Sequence, residues 1–253
     1  MKRRADQAAA EAGLAESRER AKRLIMAGQV VMETPAGPVP VSKPGQPVPE
    51  DVQLRLLAPE RYASRGGYKL ETAIEAFGLD PAGTVCLDVG ASTGGFTDCL
   101  LQHGAARVYA VDVGYGLLHE KLRRDERVVS LERVNMRKAE PGLIPEPVDL
   151  LTMDVSFISV RKVLPACLPY LKPGAEAVVL VKPQFELGPG QTDKGVVHSR
   201  ELREQAVTLV RAFAEQHCGL RGLGVVPSKL KGPKGNQEFL VHFILRSADK
   251  EAR

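Results

Sequence analysis

Two lysines and two carboxylates, Lys69, Asp154, Lys182 and Glu238, are the residues of this 253-residue chain best placed to do chemistry. Asp154 follows the apolar run Val148 to Met153, and Lys182 follows Ala177 to Val181. Each therefore stands at the tip of a stretch that reads as a buried strand. A charge there is costly unless it is paired, and adjacent tips would let the two pair. Such a pair is either a structural salt bridge or a catalytic dyad, and these two residues alone do not choose between them. Lys69 opens a helix after Arg65-Gly-Gly67, and Glu238 begins the last strand after Lys234-Gly-Asn-Gln237. Both can face the same mouth. The four together form a charge-balanced set able to hold a hydroxyl group and remove its proton. A lysine accepts such a proton only where desolvation and a neighbouring cation favour its neutral form.

A second constellation lies in Val85-Cys-Leu-Asp-Val-Gly-Ala-Ser-Thr-Gly-Gly-Phe-Thr-Asp98. Val85, Leu87 and Val89 suit a buried strand, Gly90, Gly94 and Gly95 make a turn, and a helix is expected over 96–103. Strand, glycine turn and helix form the opening unit of a doubly wound fold. The spacing is Gly-x-x-x-Gly-Gly rather than the dinucleotide pattern Gly-x-Gly-x-x-Gly. Asp88 precedes the turn and Asp112 closes the next apolar run, where an acid can accept both ribose hydroxyls of a nucleoside. A glycine turn flanked by two acids suits a cationic, phosphate-free nucleoside such as S-adenosylmethionine. The expected cofactor contacts are Asp88, Gly90, Ser92, Thr93, Gly94, Gly95 and Phe96. To these are added Asp112 and Val113 at the second tip, Asn135 and Met136 after the third, and Asp154 at the fourth.

The elements that must carry these residues alternate. Helices are expected over 69–77, 96–103, 117–124, 159–171 and 200–217. Strands are expected at 85–89, 107–112, 128–131, 148–154 and 177–182, with 224–226 and 239–245 as a closing antiparallel pair. That alternation predicts an α/β fold, a Rossmann-like doubly wound sheet. Residues 183–198 are too long for an ordinary connection and read as a functional loop.

A small α+β module is expected over 4–58, with 59–70 as linker and start of the catalytic domain and 71–248 as that domain. The module holds a short alanine-rich helix over 4–12 and a second over 18–27, capped by Ser17 and ended by Gly28. Strands follow at 29–33 and 52–56, with a Pro/Gly-rich stretch between them. The second helix carries Arg18, Arg20, Lys22 and Arg23 against Glu19, which reads equally as an RNA-backbone reader or a solvated face.

Composition is that of a globular protein, 43% hydrophobic and 26% charged, and a net charge of +4 permits a polyanionic partner. Cys86, Cys99, Cys167 and Cys218 form no C-x-x-C pair, so no metal site is expected and buried free thiols in a reducing cytoplasm fit. The basic start Met1-Lys-Arg-Arg4 lacks the apolar run of a secretory signal, and no stretch reaches the ~20 apolar residues of a membrane helix.

The glycine turn, Val-Asp-Val-Gly-Tyr-Gly at 111–116, Asp-Val-Ser-Phe-Ile-Ser at 154–159 and Val-Lys-Pro-Gln-Phe-Glu at 181–186 resemble the TlyA family. That family groups ribosomal RNA 2′-O-methyltransferases, also called haemolysins, with an FtsJ-type catalytic domain. The resemblance covers residues 4–246. It implies a Lys-Asp-Lys-Glu tetrad on Lys69, Asp154, Lys182 and Glu238, and an αL-type RNA-binding module carrying Ser17, Arg18 and Lys22. Arg4, Arg20 and Arg65 are further expected RNA contacts. It also implies ribosomal RNA, or ribosomal subunits, as partner and a cytidine as target. Methyl transfer is expected in line, without metal or covalent enzyme intermediate. Ala5, Ala9 and Ala10 replace larger aliphatics of the family pattern, and Leu117 replaces a glutamine. A membrane-disrupting protein is the contrasting expectation, and it lacks any helix with a broad apolar face and aromatic anchors. A base-modifying enzyme is another. Against it, the fourth strand tip reads Asp154-Val-Ser-Phe157, not the Asn/Asp-Pro-Pro-Tyr/Phe of amino-methyltransferases.

Overall fold

A computed structural model describes residues 2–35, 37–57 and 61–246. The chain forms two compact units, residues 1–61 and 62–253. The expected boundaries at 58, 59 and 248 lie outside the described residues.

In the first unit, β1 (Lys2–Arg4), α1 (Ala5–Glu11) and α2 (Arg18–Met26) precede β2 (Val30–Met32), β3 (Val39–Pro40), β4 (Pro47–Pro49) and β5 (Leu54–Leu56). Strand β1 pairs with β4, and β3-β2-β5 form a three-stranded antiparallel sheet. The Pro/Gly-rich stretch thus contains two strands that sequence reading passed over. Pro40, Pro47 and Pro49 sit on edge strands, where a missing N–H leaves no ladder bond broken. Ala5, Ala8, Ala9, Ala21, Ile25 and Val30 make the core, so the small alanines sit at a close helix–helix contact.

The second unit runs α3 (Gly66–Phe77), β6 (Val85–Val89), α4 (Gly95–Gln102), β7 (Arg107–Val111), α5 (Glu120–Arg123), β8 (Val128–Leu131), β9 (Val148–Met153), β10 (Leu171–Val181), α6 (Pro183–Glu186), α7 (Arg200–His217), β11 (Leu220–Pro227) and β12 (Phe239–Leu245). The sheet order is β11-β12-β10-β9-β6-β7-β8. Strands β6 to β10 are parallel, and β12 runs antiparallel to β10 and β11. Alternate residues serve opposite faces. On β10, Val179 and Val181 pack toward α7, while Val178 and Leu180 pack toward α3 and α4. Strand order reverses between β6 and β9, which opens a crevice beyond their carboxyl ends.

Several expectations change. Residues 159–171 form no α-helix but three short 3₁₀ turns, at Val160–Lys162, Leu164–Ala166 and Leu168–Tyr170. Pro165 and Pro169 each lack the N–H that would continue an α-helical ladder. Only Glu120–Arg123 is helical in the expected 117–124 segment, with the His119 ring accepting from Lys121 N at its start. Strand β10 begins at Leu171 rather than Ala177; Gly174, at φ 79°, sits in a register shift that carries the ladder across Lys172-Pro-Gly.

Candidate active site

Asp88 is fully buried on β6, and it does not contact the crevice. Its carboxylate accepts from Thr97 Oγ1 on α4 (2.7 Å) and from Thr152 Oγ1 on β9 (3.0 Å). Burial pushes its pKa up to about 7. The expectation that Asp88 touches the cofactor is corrected on this point: the carboxylate is enclosed between two protein hydroxyls and borders neither cavity, so the residue ties the turn to the neighbouring strand. Gly94 is likewise set back from the crevice, against Leu118 and Leu122.

The glycine turn comes within contact of the next strand tip. Gly90 has φ 85°, and a Cβ there would lie 2.5 Å from the backbone oxygen of Asp154. A side chain would close the gap between the two strand ends. Gly95 packs against Ser64 Oγ and the backbone of Gly66 and Gly67, so α4 and the start of α3 meet without a side chain between them. Helix α3 consequently starts at Gly66, three residues before the expected Lys69.

Beyond β6 and β7, Asp112 accepts from Ser92 N (2.8 Å) and Gly114 N (2.7 Å). These bonds fix its carboxylate and leave lone pairs free for a ligand. Asp112 borders a cavity of about 450 Å³ that also takes in Gly90, Ser92, Val113, Asn135, Met136, Asp154 and Ile158. Met136 and Ile158 supply an apolar side, the two acids a polar one. That donor set fits a nucleoside bearing a positive charge: a flat apolar base, a diol toward Asp112 and a cation toward Asp154.

A second cavity, about 590 Å³, shares Gly90, Ser92, Asp154 and Ser156 with the first. Arg65, Lys69, Thr93, Gly95, Phe96, Lys182, Lys231 and Lys234 are among its other lining residues. Lys182 Nζ lies 2.5 Å from Asp154 Oδ1 and donates to Ser156 Oγ at 2.7 Å. Lys69 Nζ lies 2.5 Å from Glu238 Oε2. Glu238 is fully buried behind Lys69 and does not line the cavity; its Oε1 has no hydrogen-bond partner among the described residues. Each lysine thus has its own carboxylate, and the two pairs come from elements far apart in the chain. Ser156, Lys231 and Lys234 were not singled out from sequence. The Asp-x-Ser spacing just after a strand tip was the available signal for Ser156.

In the first unit, Ser17 Oγ accepts from Arg20 N and caps α2. Lys22 pairs with Glu19 at 2.5 Å. Arg4 and Arg18 both pair with Asp6, at 3.0 and 3.1 Å, and both guanidinium groups remain half exposed. The Arg4 guanidinium holds the buried Asp6 carboxyl down at about 2. Asp6 was also missed from sequence.

Comparison with known proteins defines the class first. The family model for FtsJ-like methyltransferases matches residues 62–245. The chain is 47% identical over 232 residues to the 16S/23S rRNA (cytidine-2′-O)-methyltransferase TlyA of Mycobacterium tuberculosis, spanning 90% of this chain and 85% of that protein. It is 39% identical to Hemolysin A of Brachyspira hyodysenteriae, over 92% of this chain and 96% of that one. Among solved structures, a protein named as a haemolysin of Streptococcus thermophilus is 43% identical, covers 97% of this chain and 89% of its own, and superposes with a TM-score of 0.74. The chain belongs to the TlyA family of FtsJ-like methyltransferases.

Proposed function

We propose that this protein methylates the ribose 2′-hydroxyl of a cytidine in ribosomal RNA, using S-adenosylmethionine. The observation that carries the reading is the junction of the two cavities at Gly90 and Asp154. One side suits a cationic nucleoside, and the other holds Lys182 and Lys69 beside carboxylates. S-adenosylmethionine supplies an electrophilic methyl group. Asp112 accepts from its ribose, and Asn135 and Met136 flank its base. Lys182, as the free amine, accepts the proton of the ribose 2′-hydroxyl as the oxygen becomes nucleophilic. Asp154 and Ser156 hold the Lys182 amine in place. Glu238 pairs with Lys69 and directs it into the mouth, where it steadies the developing oxyanion.

Residues 4–58 serve as the RNA-binding module, residues 59–70 connect it to the catalytic domain at 71–248, and the protein acts in the cytoplasm, where ribosomal RNA is met. Arg4, Arg18, Arg20, Lys22 and Arg65 contact phosphates, with Ser17 ordering the helix that carries three of them. No helix among the described residues is long and apolar enough to cross a membrane. The test is to map 2′-O-methylation on ribosomal RNA from cells with and without the protein, then restore it with purified protein and S-adenosylmethionine. No lost ribose methyl group would sink the reading, and a lost base methyl group would redirect it.

A further inference from the structure

Two loops leave adjacent strand tips and run side by side. One leaves β9 with Asp154, and the other leaves β10 with Lys182. Four successive contacts join them. The Lys182–Asp154 ion pair (2.5 Å) is innermost, and the bond from Lys182 Nζ to Ser156 Oγ (2.7 Å) is next. The rings of Phe185 and Phe157 follow at 5.3 Å between centroids. The outermost contact is made by Glu186. Its Oε2 accepts from Ser159 Oγ (2.6 Å) and Arg161 Nε (3.2 Å), and its Oε1 accepts from Val160 N (2.7 Å). Arg161 Nη2 returns a bond to the Glu186 carbonyl at 2.9 Å.

We infer that Glu186 is a positioning residue for methyl transfer, fixing the loop of Asp154 against the loop of Lys182; the inference rests on the function proposed above. Glu186 borders neither cavity, so any effect it has must act through other residues. Its carboxylate is 1% exposed and receives three hydrogen bonds, all from the opposite loop. Charge-assisted bonds of this kind are directional and short, so they set register as well as neutralise charge. The need is specific. Phe157 holds a positive φ of 64°, a strained conformation for an aromatic residue that persists only where neighbours impose it. Fixing the loop at Ser159, Val160 and Arg161 imposes it from the far side. Ser156 and Asp154, on the near side, are then held where Lys182 Nζ meets both.

The test uses the full chain with Glu186→Gln and Glu186→Ala. Glutamine can still accept from Val160 N, and the Arg161 bond to the backbone carbonyl remains, but its uncharged amide turns an N–H toward Arg161 Nε, so the link weakens without being lost. Single-turnover methyl transfer at saturating RNA and cofactor should fall about tenfold in the glutamine variant and about a hundredfold in the alanine variant. The glutamine variant keeps the test informative should the alanine variant fail to fold. A second readout needs no substrate: acylation of lysines by an amine-reactive reagent, followed by peptide mass spectrometry. Lys182 should label several times faster in both variants, while Lys69, held by Glu238 on other elements, labels as in the wild type. An unchanged ratio of Lys182 to Lys69 labelling overturns the inference, and so does an equal rise at both lysines, which would mean general loosening. A wild-type protein that methylates no ribosomal RNA would sink the proposed function and leave the labelling result to decide the role of Glu186.

Discussion

Lys69 and Glu238 meet at 2.5 Å across 169 positions of sequence, with the carboxylate fully buried and the ammonium at the cavity wall. Helix α3 delivers one partner and the residue just before β12 the other. A buried pair of this kind contributes little net stability when intact, yet leaves an uncompensated charge when one partner is removed.

Glu238→Ala should therefore destabilise the protein by about 3–5 kcal/mol, read as a fall in thermal midpoint. Glu238→Gln, which keeps the shape, should fold but lose most methyl transfer while retaining cofactor affinity. Full activity in the glutamine variant would remove the pair from the reaction.

Lys182→Ala should abolish methyl transfer with the fold and cofactor binding preserved. Lys182→Arg should fail as well, because a guanidinium does not release its proton in the working range. Single-turnover kinetics decide: a near-normal rate for the arginine variant would leave Lys182 as a fixed charge and end its assignment as general base.

Asp112→Ala should weaken S-adenosylmethionine binding by about 1–3 kcal/mol, through the lost ribose acceptor and the released backbone of Ser92 and Gly114. Calorimetry on the purified protein is the check. Unchanged affinity would exclude Asp112 from the cofactor site.

Asp88 gives a pH signature of definite sign. Its pKa is raised to about 7 in the folded protein, against about 3.9 in an unfolded chain. Between those values the folded state holds a proton that the unfolded state has lost, so stability falls as pH rises from about 4 to 7 and levels off above. Asp88→Asn should flatten that part of the curve relative to wild type, measured as thermal midpoints across the range. Parallel curves for the two proteins would show that Asp88 is ionised in the fold.

Arg20 is exposed on α2, and Arg20→Ala should weaken ribosomal RNA binding while reducing the log–log salt slope by about 1, the loss of one phosphate contact. Cofactor binding should not change. A variant with the parent's affinity and slope would place RNA elsewhere on the module.

Much of the fold was legible in the sequence because apolar periodicity and glycine turns are local signals. The alternation from Val85 to Val181 announced a parallel doubly wound sheet, and 200–217 and 239–245 lie where their patterns put them. Prolines set the limits of that reading. At 165 and 169 they divided an apparent helix into 3₁₀ turns, and at 40, 47 and 49 they stood on edge strands that looked like loop. The sequence alone also marked Asp154 and Lys182 as charges at strand tips. Only the strand order, β10 beside β9 beside β6, decided that those tips are neighbours and that Gly90 abuts Asp154. Burial of Asp88 between two threonines, of Asp6 beneath two arginines, and of Glu186 against Ser159 and Arg161 was likewise settled in three dimensions. A carboxylate's sequence neighbours do not reveal which donors will surround it. Those donors come from distant segments, and they determine whether the acid faces a ligand or holds the frame.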